Sequence, residues 1–400
     1  MKVKFPDYNN CITNIPNSIL KYFGYEEGRK TSSLLDSYLK KEYDNVVVLL
    51  LDGMGKCIID GNLDKEGFFQ SHLEAVYSST FPPTTVAATT SMLSGMNPCE
   101  HGWLGWDCYF PQINKNVTVF LNKEMETGLS AADYNVAFRY CGYEDIVQKI
   151  NRICGKETAY YVLPFLAPYP RTFEDITNRI ADLCSQPGKK FIYSYWSEPD
   201  TTMHRKGCYS EESKQLLQDI ESRVEKMCSG LDKTLFIITA DHGHMDSKCV
   251  AIGAYPKIQE CLVRLPSIEP RALNLFIKPE KKEQFLSEFQ KEFGEKFLLM
   301  SKEEVIQRQL FGPDTEHPSF RDMLGDYLAI AVSDLTICCT KEEADILIGV
   351  HAGMTDEEME IPLILIEKCS FSELGIRRVE VCLKNLQLFL LPVMKGSWIR

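Results

Sequence analysis

Three aspartates and three histidines of this 400-residue chain follow short apolar runs, and both residue types bind metal ions. They are Asp52 in LLLDGMG, Asp200 and His204 in a D-x-x-x-H spacing, the adjacent pair Asp241 and His242, and His351 after ILIGV. Carboxylate oxygens and imidazole nitrogens in equal number can supply two mixed-ligand metal sites, a donor set that suits Zn²⁺. The six residues together predict a pair of Zn²⁺ ions, with Mn²⁺ as the alternative metal.

Each member of this set also has a purely structural interpretation. An aspartate such as Asp52 after a strand often caps a helix or forms a turn, and a lone histidine such as His351 is often hydrogen-bonded within the core. The adjacent pair Asp241 and His242 is more specific, because two such groups beside a buried strand are costly without a partner. Recurrence of the pattern behind four apolar runs favours the metal sites.

A hydroxyl nucleophile is the second predicted feature. In STFPPTTVAATTSMLSG, a proline-stiffened turn leads into a helix of small residues that begins near Thr84 or Thr85. A hydroxyl at a helix N-terminus lies where backbone N–H groups and the helix dipole favour a phosphate group. Metal coordination would be needed to lower its pKa for attack. In the structural alternative, Thr84 is an N-cap and Thr85 packs in the first turn.

The elements that must position these groups are strands of a sheet covered on both faces. The apolar runs at 46–51, 191–196, 235–239 and 346–350 are bounded by turn residues, as buried strands are. Helical periodicity lies between them, over 172–184, 209–229 and 281–293. This alternation predicts an α/β fold with a central, mostly parallel sheet sandwiched by helices, where ligands bind beyond the carboxyl ends of the strands.

A change of pattern marks residues 250–330. A strand-like run at 272–277 precedes the Lys/Glu-rich helix, and an acidic helix follows near 302–309. We interpret this range as a small α+β cap inserted into a core made of residues 1–249 and 331–400. The alternative is that it extends the main sheet.

The order of these motifs resembles the alkaline phosphatase superfamily, and most closely its type I phosphodiesterase/nucleotide pyrophosphatase branch. The resemblance runs from about residue 45 to 366, without the cap. It implies a metal-dependent hydrolase with the fold predicted above. It further implies one metal held by Asp52, Thr85, Asp241 and His242, and another held by Asp200, His204 and His351.

The resemblance also implies the nucleophile, which would attack phosphorus and form a phospho-threonine intermediate. Members of the superfamily commonly place it ten residues before the glycine that closes its helix, and Thr85 precedes Gly95 by that interval. Thr84 is the second candidate. Thr80 is the third, because it precedes Phe-Pro as in the T-F-P-N sequence of eukaryotic members.

One position departs from the family pattern. Nucleotide pyrophosphatases of this branch carry an asparagine that binds a phosphate oxygen, five residues beyond the histidine of an H-G motif. In this chain that position is Trp106, counted from His101. We expect the Trp106 indole or the cap residue Arg271 to contact the substrate instead. His101 is expected to be structural, and His244 to be exposed beside the metal loop, with support of a metal ligand as its alternative role.

The composition of the chain limits the classes of partner that it is expected to bind. The formal net charge of −12 argues against a nucleic-acid polymer, because such binding needs cationic neutralisation of phosphates. Strand-length apolar runs predict no membrane span. Fifteen cysteines without a Cys-x-x-Cys pair, and a start that lacks a signal-peptide pattern, predict reduced thiols in the cytoplasm.

The predicted function is therefore a two-metal phosphodiesterase or nucleotide pyrophosphatase acting on a small phosphorylated substrate. Two divalent cations exceed the charge of three aspartates by one, which suits a singly charged diester. The alternatives within the superfamily are a phosphomonoesterase, a phosphonate hydrolase and a phosphomutase. The alternative of another class is a catalytically inert, metal-containing binding protein.

Overall fold

Strand β1 lies in the middle of the main sheet, and every one of its seven residues is buried. The computed structural model describes residues 2–25, 27–155 and 157–368. The part of the predicted core from 369 to 400 therefore lies outside the described residues.

Short strands and helices alternate along the chain. The strands, in chain order, are β1 (Asn45–Leu51), β2 (Leu73–Ser78), β3 (Asp107–Phe110), β4 (Lys115–Thr118), β5 (Lys123–Glu124), β6 (Ala159–Val162), β7 (Lys190–Trp196), β8 (Thr234–Thr239), β9 (Met245–Asp246), β10 (Lys248–Ala251), β11 (Ser267–Glu269), β12 (Ala272–Leu275), β13 (Phe297–Ser301), β14 (Tyr327–Ala331), β15 (Leu335–Cys338), β16 (Gly349–Val350) and β17 (Glu360–Lys368). The α-helices are α1 (Asn14–Tyr22), α2 (Ser33–Tyr38), α3 (Lys56–Asn62), α4 (Phe68–Ser71), α5 (Thr85–Ser94), α6 (Pro98–His101), α7 (Val136–Cys141), α8 (Ile146–Cys154), α9 (Phe173–Ser185), α10 (Asp200–Lys206), α11 (Glu211–Ser229), α12 (Pro256–Gln259), α13 (Lys282–Phe293), α14 (Lys302–Gln307), α15 (Phe320–Met323), α16 (Lys341–Ile346) and α17 (Asp356–Met359). Three short 3-10 helices span Val119–Leu121, Ile252–Ala254 and Pro279–Lys281.

The main sheet has six strands in the order β2-β17-β8-β1-β7-β6. Strands β8, β1, β7 and β6 run parallel, and β17 is antiparallel to both of its neighbours. Helices α3, α4 and α9 pack against α11, while α1, α5 and α8 pack against one another. Because β1 and β8 are buried throughout, both faces of the sheet are covered. The predicted α/β fold with a mostly parallel central sheet is confirmed.

A second sheet of seven antiparallel strands has the order β13-β14-β12-β11-β3-β4-β5. Helix α13 covers it with three buried aromatic side chains, Phe285, Phe289 and Phe293. The predicted cap range supplies β11, β12, β13 and most of β14, but β3, β4 and β5 come from residues 107–124. A single pair of residues, Ile268 and Asp107, joins the two groups of strands. The boundaries at 250 and 330 stay a proposal.

One predicted strand is wrong. Residues 346–350 do not form a strand of the main sheet, because Ile346 ends helix α16, whose N-cap is Thr340. The acidic residues that follow this cap stabilise the first helical turn, and Ile346 itself is 60% exposed. Only β16 is extended, and it pairs with β9 in a small separate sheet. No helix in the described ranges is long and apolar enough to cross a membrane.

Candidate metal centre and active site

The carboxyl ends of β8, β1 and β7 meet at one edge of the main sheet, since these strands are adjacent and parallel. Asp52 follows β1 directly, Asp241 and His242 follow β8, and Asp200 begins α10 after β7. His351 follows β16, whose partner β9 continues the chain from His242. The topology thus brings together the six side chains that the sequence predicts as metal ligands.

Glycine permits the close approach of these loops. Gly53 has a φ of +71°, and a Cβ atom there would lie 3.0 Å from the Cβ of Asp200. A Cβ at Gly55 would lie 2.3 Å from the Cα of Gly243. Larger residues would push the Asp52 loop away from its neighbours, so the glycines set the spacing of the site.

Asp241 is the clearest sign that a cation belongs in this site. Its Oδ1 accepts hydrogen bonds from the backbone N–H groups of Gly53, at 3.1 Å, and His242, at 3.0 Å. Its Oδ2 is buried, has no hydrogen-bond partner among the described residues and lies 3.6 Å from Nε2 of His242. A buried carboxylate oxygen without a donor is costly, and a bound cation would satisfy it.

Three histidines are oriented alike. In each, Nδ1 donates to a backbone carbonyl oxygen, which fixes the proton on Nδ1 because a carbonyl can only accept. The pairs are His204 with Gly349 at 2.8 Å, His242 with Gly243 at 2.9 Å and His351 with Pro83 at 3.1 Å. An Nε2 without a proton can donate its lone pair to a metal, and metal-binding histidines are commonly held this way. Burial lowers the pKa of His204, but the charge of Asp200 outweighs it and raises that pKa to about 9, so His204 must lose its Nε2 proton when a metal binds.

Two groups of residues could each hold a metal ion, because the ligand atoms within each group lie within 4.8 Å of one another. The first contains Asp200, His204, His244 and His351, and the second contains Asp52, Asp200 and His242. From Oδ1 of Asp200, Nε2 is 3.3 Å away in His204, 3.0 Å in His244 and 3.8 Å in His351. The nitrogen and oxygen donors of both groups fit divalent transition metals.

In the metal-free cluster, the neighbouring charges shift the pKa values of the three aspartates in different directions. Burial and the charge of Asp200 raise the pKa of Asp52 well above its ordinary value, and burial and Asp52 do the same for the pKa of Asp241. Burial also favours the neutral form of Asp200, but His204 outweighs it and holds the pKa of Asp200 well below its ordinary value. Three carboxyl groups so close together, with those of Asp52 and Asp241 buried, call for positive charge.

Thr85 is the threonine that faces this cluster. It is the first residue of α5, and its Oγ1 lies 3.2 Å from Nε2 of His242 and 3.5 Å from Oδ1 of Asp52. Helix α5 ends at Gly95, which adopts φ +76° as a left-handed C-cap. The other two candidates are placed differently: Thr84 donates its hydroxyl to Glu269, and the Thr80 hydroxyl is buried without a partner in the described part of the chain.

A cavity of about 320 Å³ opens onto Thr85. Trp106 lines this cavity and is 41% exposed, and its contact with a substrate stays a prediction. Its backbone N–H donates to Oε1 of Glu269 at 2.9 Å. Glu269 is a residue that sequence reasoning missed, because no local pattern marks it.

Arg271 does not line the cavity, contrary to the sequence-based expectation. It is fully buried and forms a bidentate ion pair with Glu358, at 2.6 and 2.8 Å. Its remaining donors bind the carbonyl oxygens of Ser333 and Leu335, at 3.0 and 3.1 Å. Since its guanidinium is fully engaged within the protein, Arg271 holds the loop after His351 against β12.

His244 is also placed differently from the expectation. It is fully buried rather than exposed, and its Nε2 lies within hydrogen-bonding distance of Oδ1 of Asp200, at 3.0 Å. Its position two residues after His242 was the signal available in the sequence. His101 is buried, hydrogen-bonded to Ser91 at 3.0 Å, and its pKa is lowered to about 3 by burial, as expected of a structural histidine.

Tyr195 is a further residue that the sequence analysis did not single out. Its hydroxyl donates to Oδ2 of Asp52. It belongs to the end of β7, which is paired in register with β1 and so carries Tyr195 beside Asp52. Burial and the neighbouring aspartates raise its pKa, so it remains a hydrogen-bond donor.

Solved structures share this fold. Murine ectonucleotide pyrophosphatase/phosphodiesterase 5, an inactive variant in complex with AMP, superposes with a TM-score of 0.60 at 17% identity, over 81% of this chain and 87% of that one. The human counterpart gives 0.61 at 16% identity, over 82% and 88%. Phosphonoacetate hydrolase from Sinorhizobium meliloti 1021, in complex with phosphonoformate, gives 0.59 at 13% identity, over 82% and 91%.

Comparison with curated proteins gives no match. The family model for type I phosphodiesterase / nucleotide pyrophosphatase matches residues 46–312, which is more than half of the chain. That range includes Asp52, Thr85, Asp200, His204 and the pair that follows β8. The chain therefore belongs to the type I phosphodiesterase / nucleotide pyrophosphatase family.

Proposed function

We propose that this protein hydrolyses phosphodiesters with Thr85 as the nucleophile. The observation that carries the proposal is the position of the Thr85 hydroxyl, 3.2 Å from Nε2 of His242 at the start of α5. Backbone N–H groups at a helix N-terminus favour phosphate oxygens, so the same turn can bind the phosphate and present the hydroxyl.

The proposal includes two divalent metal ions, for which Zn²⁺ fits the donors best and Mn²⁺ is the alternative. Asp52, Asp241, His242 and Thr85 would hold one ion. Asp200, His204 and His351 would hold the other, with His244 bound to Asp200. When bound, the ions would lower the pKa of the Thr85 hydroxyl and stabilise charge on the phosphate oxygens.

Thr85 carries the chemistry in two steps. First, its Oγ1 forms a bond to phosphorus as one ester oxygen leaves and takes up a proton, which gives a phospho-threonine and a free alcohol. Water then attacks the phospho-threonine, which releases the phosphate monoester and restores the hydroxyl. Tyr195 and the backbone N–H groups on Asp241 hold the aspartates in place throughout.

A diester is favoured over more highly charged substrates by the residues around the nucleophile. Among the described residues, those that line the cavity at Thr85 include no lysine or arginine. A dianionic monoester, or a phosphonate that carries a second anionic group, is commonly bound by such side chains. This composition supports the diesterase over the phosphomonoesterase and phosphonate hydrolase alternatives.

A cytoplasmic location also stays part of the proposal. Fifteen cysteines without a Cys-x-x-Cys pair support it, and the cysteines in the described ranges are free. The substrate class is a small phosphorylated molecule, since the cavity is small and the chain is acidic.

Metal analysis followed by a substrate panel tests the proposal. Metal-loaded protein is assayed with bis(p-nitrophenyl) phosphate, p-nitrophenyl phosphate and phosphonoacetate, with and without a chelator. We expect about two metal ions per chain and chelator-sensitive hydrolysis that is fastest for the diester. Faster cleavage of the monoester or phosphonoacetate would contradict the diesterase, and inert metal-loaded protein would contradict an enzyme of any of these classes.

A further inference from the structure

Two cysteines lie on one face of the small parallel sheet formed by β10 and β15. Cys249 pairs with Thr336 in the register, and Cys338 lies two residues beyond Thr336, so both side chains point to the same side. The two thiols are free and interact as side-chain hydrogen-bond partners. Neither cysteine belongs to a candidate metal-binding group in the described part of the chain. The proposed phosphodiester chemistry therefore makes no use of this pair.

The two thiols differ in exposure and in acidity. Cys249 is partly exposed to solvent, whereas Cys338 is fully buried. The hydrogen bond from Cys338 lowers the pKa of Cys249 against the effect of burial, and Thr336 and Arg271 lower it further. The same contact and burial raise the pKa of Cys338. Because the thiolate is the reactive form of cysteine, Cys249 is the thiol that an oxidant attacks, and Cys338 is the neighbour that can react with the product.

The Cys249 thiol also contacts the loop that orients a predicted metal ligand. Its S–H donates to the carbonyl oxygen of Leu347, with 3.5 Å between the sulfur and the oxygen. The N–H of the same peptide unit belongs to Ile348 and donates to the carbonyl oxygen of His204 at 2.9 Å. The carbonyl oxygen of the next residue, Gly349, accepts from Nδ1 of His204 at 2.8 Å. One peptide unit thus connects the Cys249 thiol to the segment that holds the His204 imidazole.

We propose that Cys249 and Cys338 form a reversible disulfide on exposure to peroxide, and that this bond lowers metal affinity at the His204 site. The inference rests on the metal centre of the proposed function and adds a form of regulation to it. In a reducing compartment the pair stays a dithiol, and cytoplasmic disulfides of this kind are transient. The reduced protein is therefore the form with the higher metal affinity.

The oxidation takes place in two balanced steps. The sulfur of Cys249 attacks one oxygen of hydrogen peroxide, the O–O bond breaks, and the departing hydroxide takes the thiol proton, which gives a sulfenic acid and water. The sulfur of Cys338 then attacks the sulfur of Cys249, the S–O bond breaks, and a second water leaves with the Cys338 proton. The two sulfurs together lose two electrons, and the peroxide gains them.

Formation of this disulfide requires a movement of the backbone. Cys338 pairs with Ala251 in the register, and Cys249 lies two residues before Ala251 on the same strand. On such a diagonal the Cα atoms are about 8 Å apart at ordinary strand spacing. Cα atoms joined by a disulfide are at most about 6.8 Å apart, so the bond shifts one strand against the other. It also removes the S–H donor that Leu347 accepts, so the loop that orients His204 loses a contact as the strand moves.

Peptide mapping tests whether the bond forms. The metal-loaded and the metal-free full chain are each treated with hydrogen peroxide, alkylated and digested with trypsin under non-reducing conditions. Cys249 is the only cysteine of peptide 249–257, and Cys338 shares peptide 322–341 with Cys339. We expect these two peptides to be joined through Cys338, as assigned by fragmentation, and to separate with dithiothreitol. A bond to Cys339, or no joined peptides, would overturn the inference.

Chelator competition, after removal of the peroxide, tests whether the bond affects the metal centre. Oxidation should lower the affinity of one of the two metal ions by about tenfold or more, and dithiothreitol should restore it. Cys249→Ser keeps a donor for Leu347 but cannot form the disulfide, so its metal affinity should not respond to peroxide. Cys154→Ser, which replaces an exposed cysteine at the end of α8, is the matched control and should respond as the wild type does. A disulfide without a change in metal affinity, or a response in Cys249→Ser, would overturn the inference.

The two measurements separate this inference from the proposed function, because neither depends on hydrolysis. If the chain binds metal and hydrolyses no phosphodiester, the proposed function fails, while the joined peptides and the metal affinity still test the switch. In Cys338→Ser the oxidation should stop at the sulfenic acid of Cys249, which dimedone traps for detection by mass spectrometry. Absence of this adduct at Cys249 would contradict the order of the two steps.

Discussion

Oγ1 of Thr85 lies 3.2 Å from Nε2 of His242, although the two residues are 157 positions apart in the chain. Nδ1 of the same histidine is bonded to the Gly243 carbonyl, which turns Nε2 towards the threonine, where the neutral ring can bind a metal. The contact joins the start of α5 to the loop after β8. It therefore links the proposed nucleophile directly to the metal-binding residues.

Replacing Thr85 with alanine removes this nucleophile. We expect Thr85→Ala to lower kcat by at least about 1000-fold while metal content stays near two ions per chain. Thr85→Ser should retain measurable turnover, because it keeps the hydroxyl. Thr80→Ala and Thr84→Ala test the other two threonines and should lose far less. Full activity in Thr85→Ala would exclude the proposed mechanism.

Tyr195 stabilises the charged form of Asp52 by donating its hydroxyl to Oδ2. A hydrogen bond to a charged group contributes about 1.5–3 kcal/mol, so Tyr195→Phe should weaken metal binding or kcat/KM by roughly 10- to 100-fold. Tyr161→Phe is the matched control, since its hydroxyl bonds Asp145 at 2.6 Å outside the cluster. If both variants behave like the wild type, the Tyr195 hydroxyl has no role in the site.

His244 orients Asp200 or binds the same ion, because its Nε2 lies 3.0 Å from Oδ1 of Asp200. His244→Ala should lower the affinity of one metal ion by about 10- to 100-fold, measured by competition with a chelator. His72→Ala is a suitable control, because His72 contacts Phe68 and Ser71 instead. Unchanged affinity for both ions would place His244 outside the metal centre.

Glu269 makes the stability of the metal-free protein depend on pH. Burial raises its pKa from an ordinary 4.5 to about 7, so folding favours its protonated form. Its contribution is complete below pH 4.5 and is lost as the pH rises through 7. Relative to the wild type, Glu269→Gln should gain up to about 3 kcal/mol of unfolding free energy between these limits. Denaturant unfolding at about pH 4.5 and about pH 7.5 measures this difference, and parallel pH profiles for the two proteins would contradict it.

Arg271 stabilises the fold through its buried pair with Glu358. Removing one partner of a buried pair leaves the other charge uncompensated, so Arg271→Ala should lower the unfolding free energy by about 3–5 kcal/mol. The double variant Arg271→Met with Glu358→Met should recover much of that loss. KM should not change in the folded fraction of either protein. A raised KM at wild-type stability would instead support the substrate contact expected from the sequence.

The local elements of this protein could be predicted from its amino-acid sequence. Apolar runs bounded by turn residues predicted β1, β7 and β8, because a strand that is buried on both faces appears in the sequence as a continuous apolar run. Periodicity located α11, and the small-residue segment closed by Gly95 located α5. Asp52 was visible as a candidate metal-binding residue for the same reason, since it directly follows β1.

Contacts between side chains from distant segments could not be predicted in this way. Three features of the site depend on contacts between distant segments. Asp200 lies in both groups of metal-binding residues, His244 is buried beside it, and Glu269 accepts a hydrogen bond from Thr84. The two-residue strand β16 and the pairing of β3 with β11 are too short to leave a local pattern. Arg271 shows the physical reason most directly, because an isolated arginine fits a surface or a substrate site equally well, and only the position of Glu358 makes its burial possible.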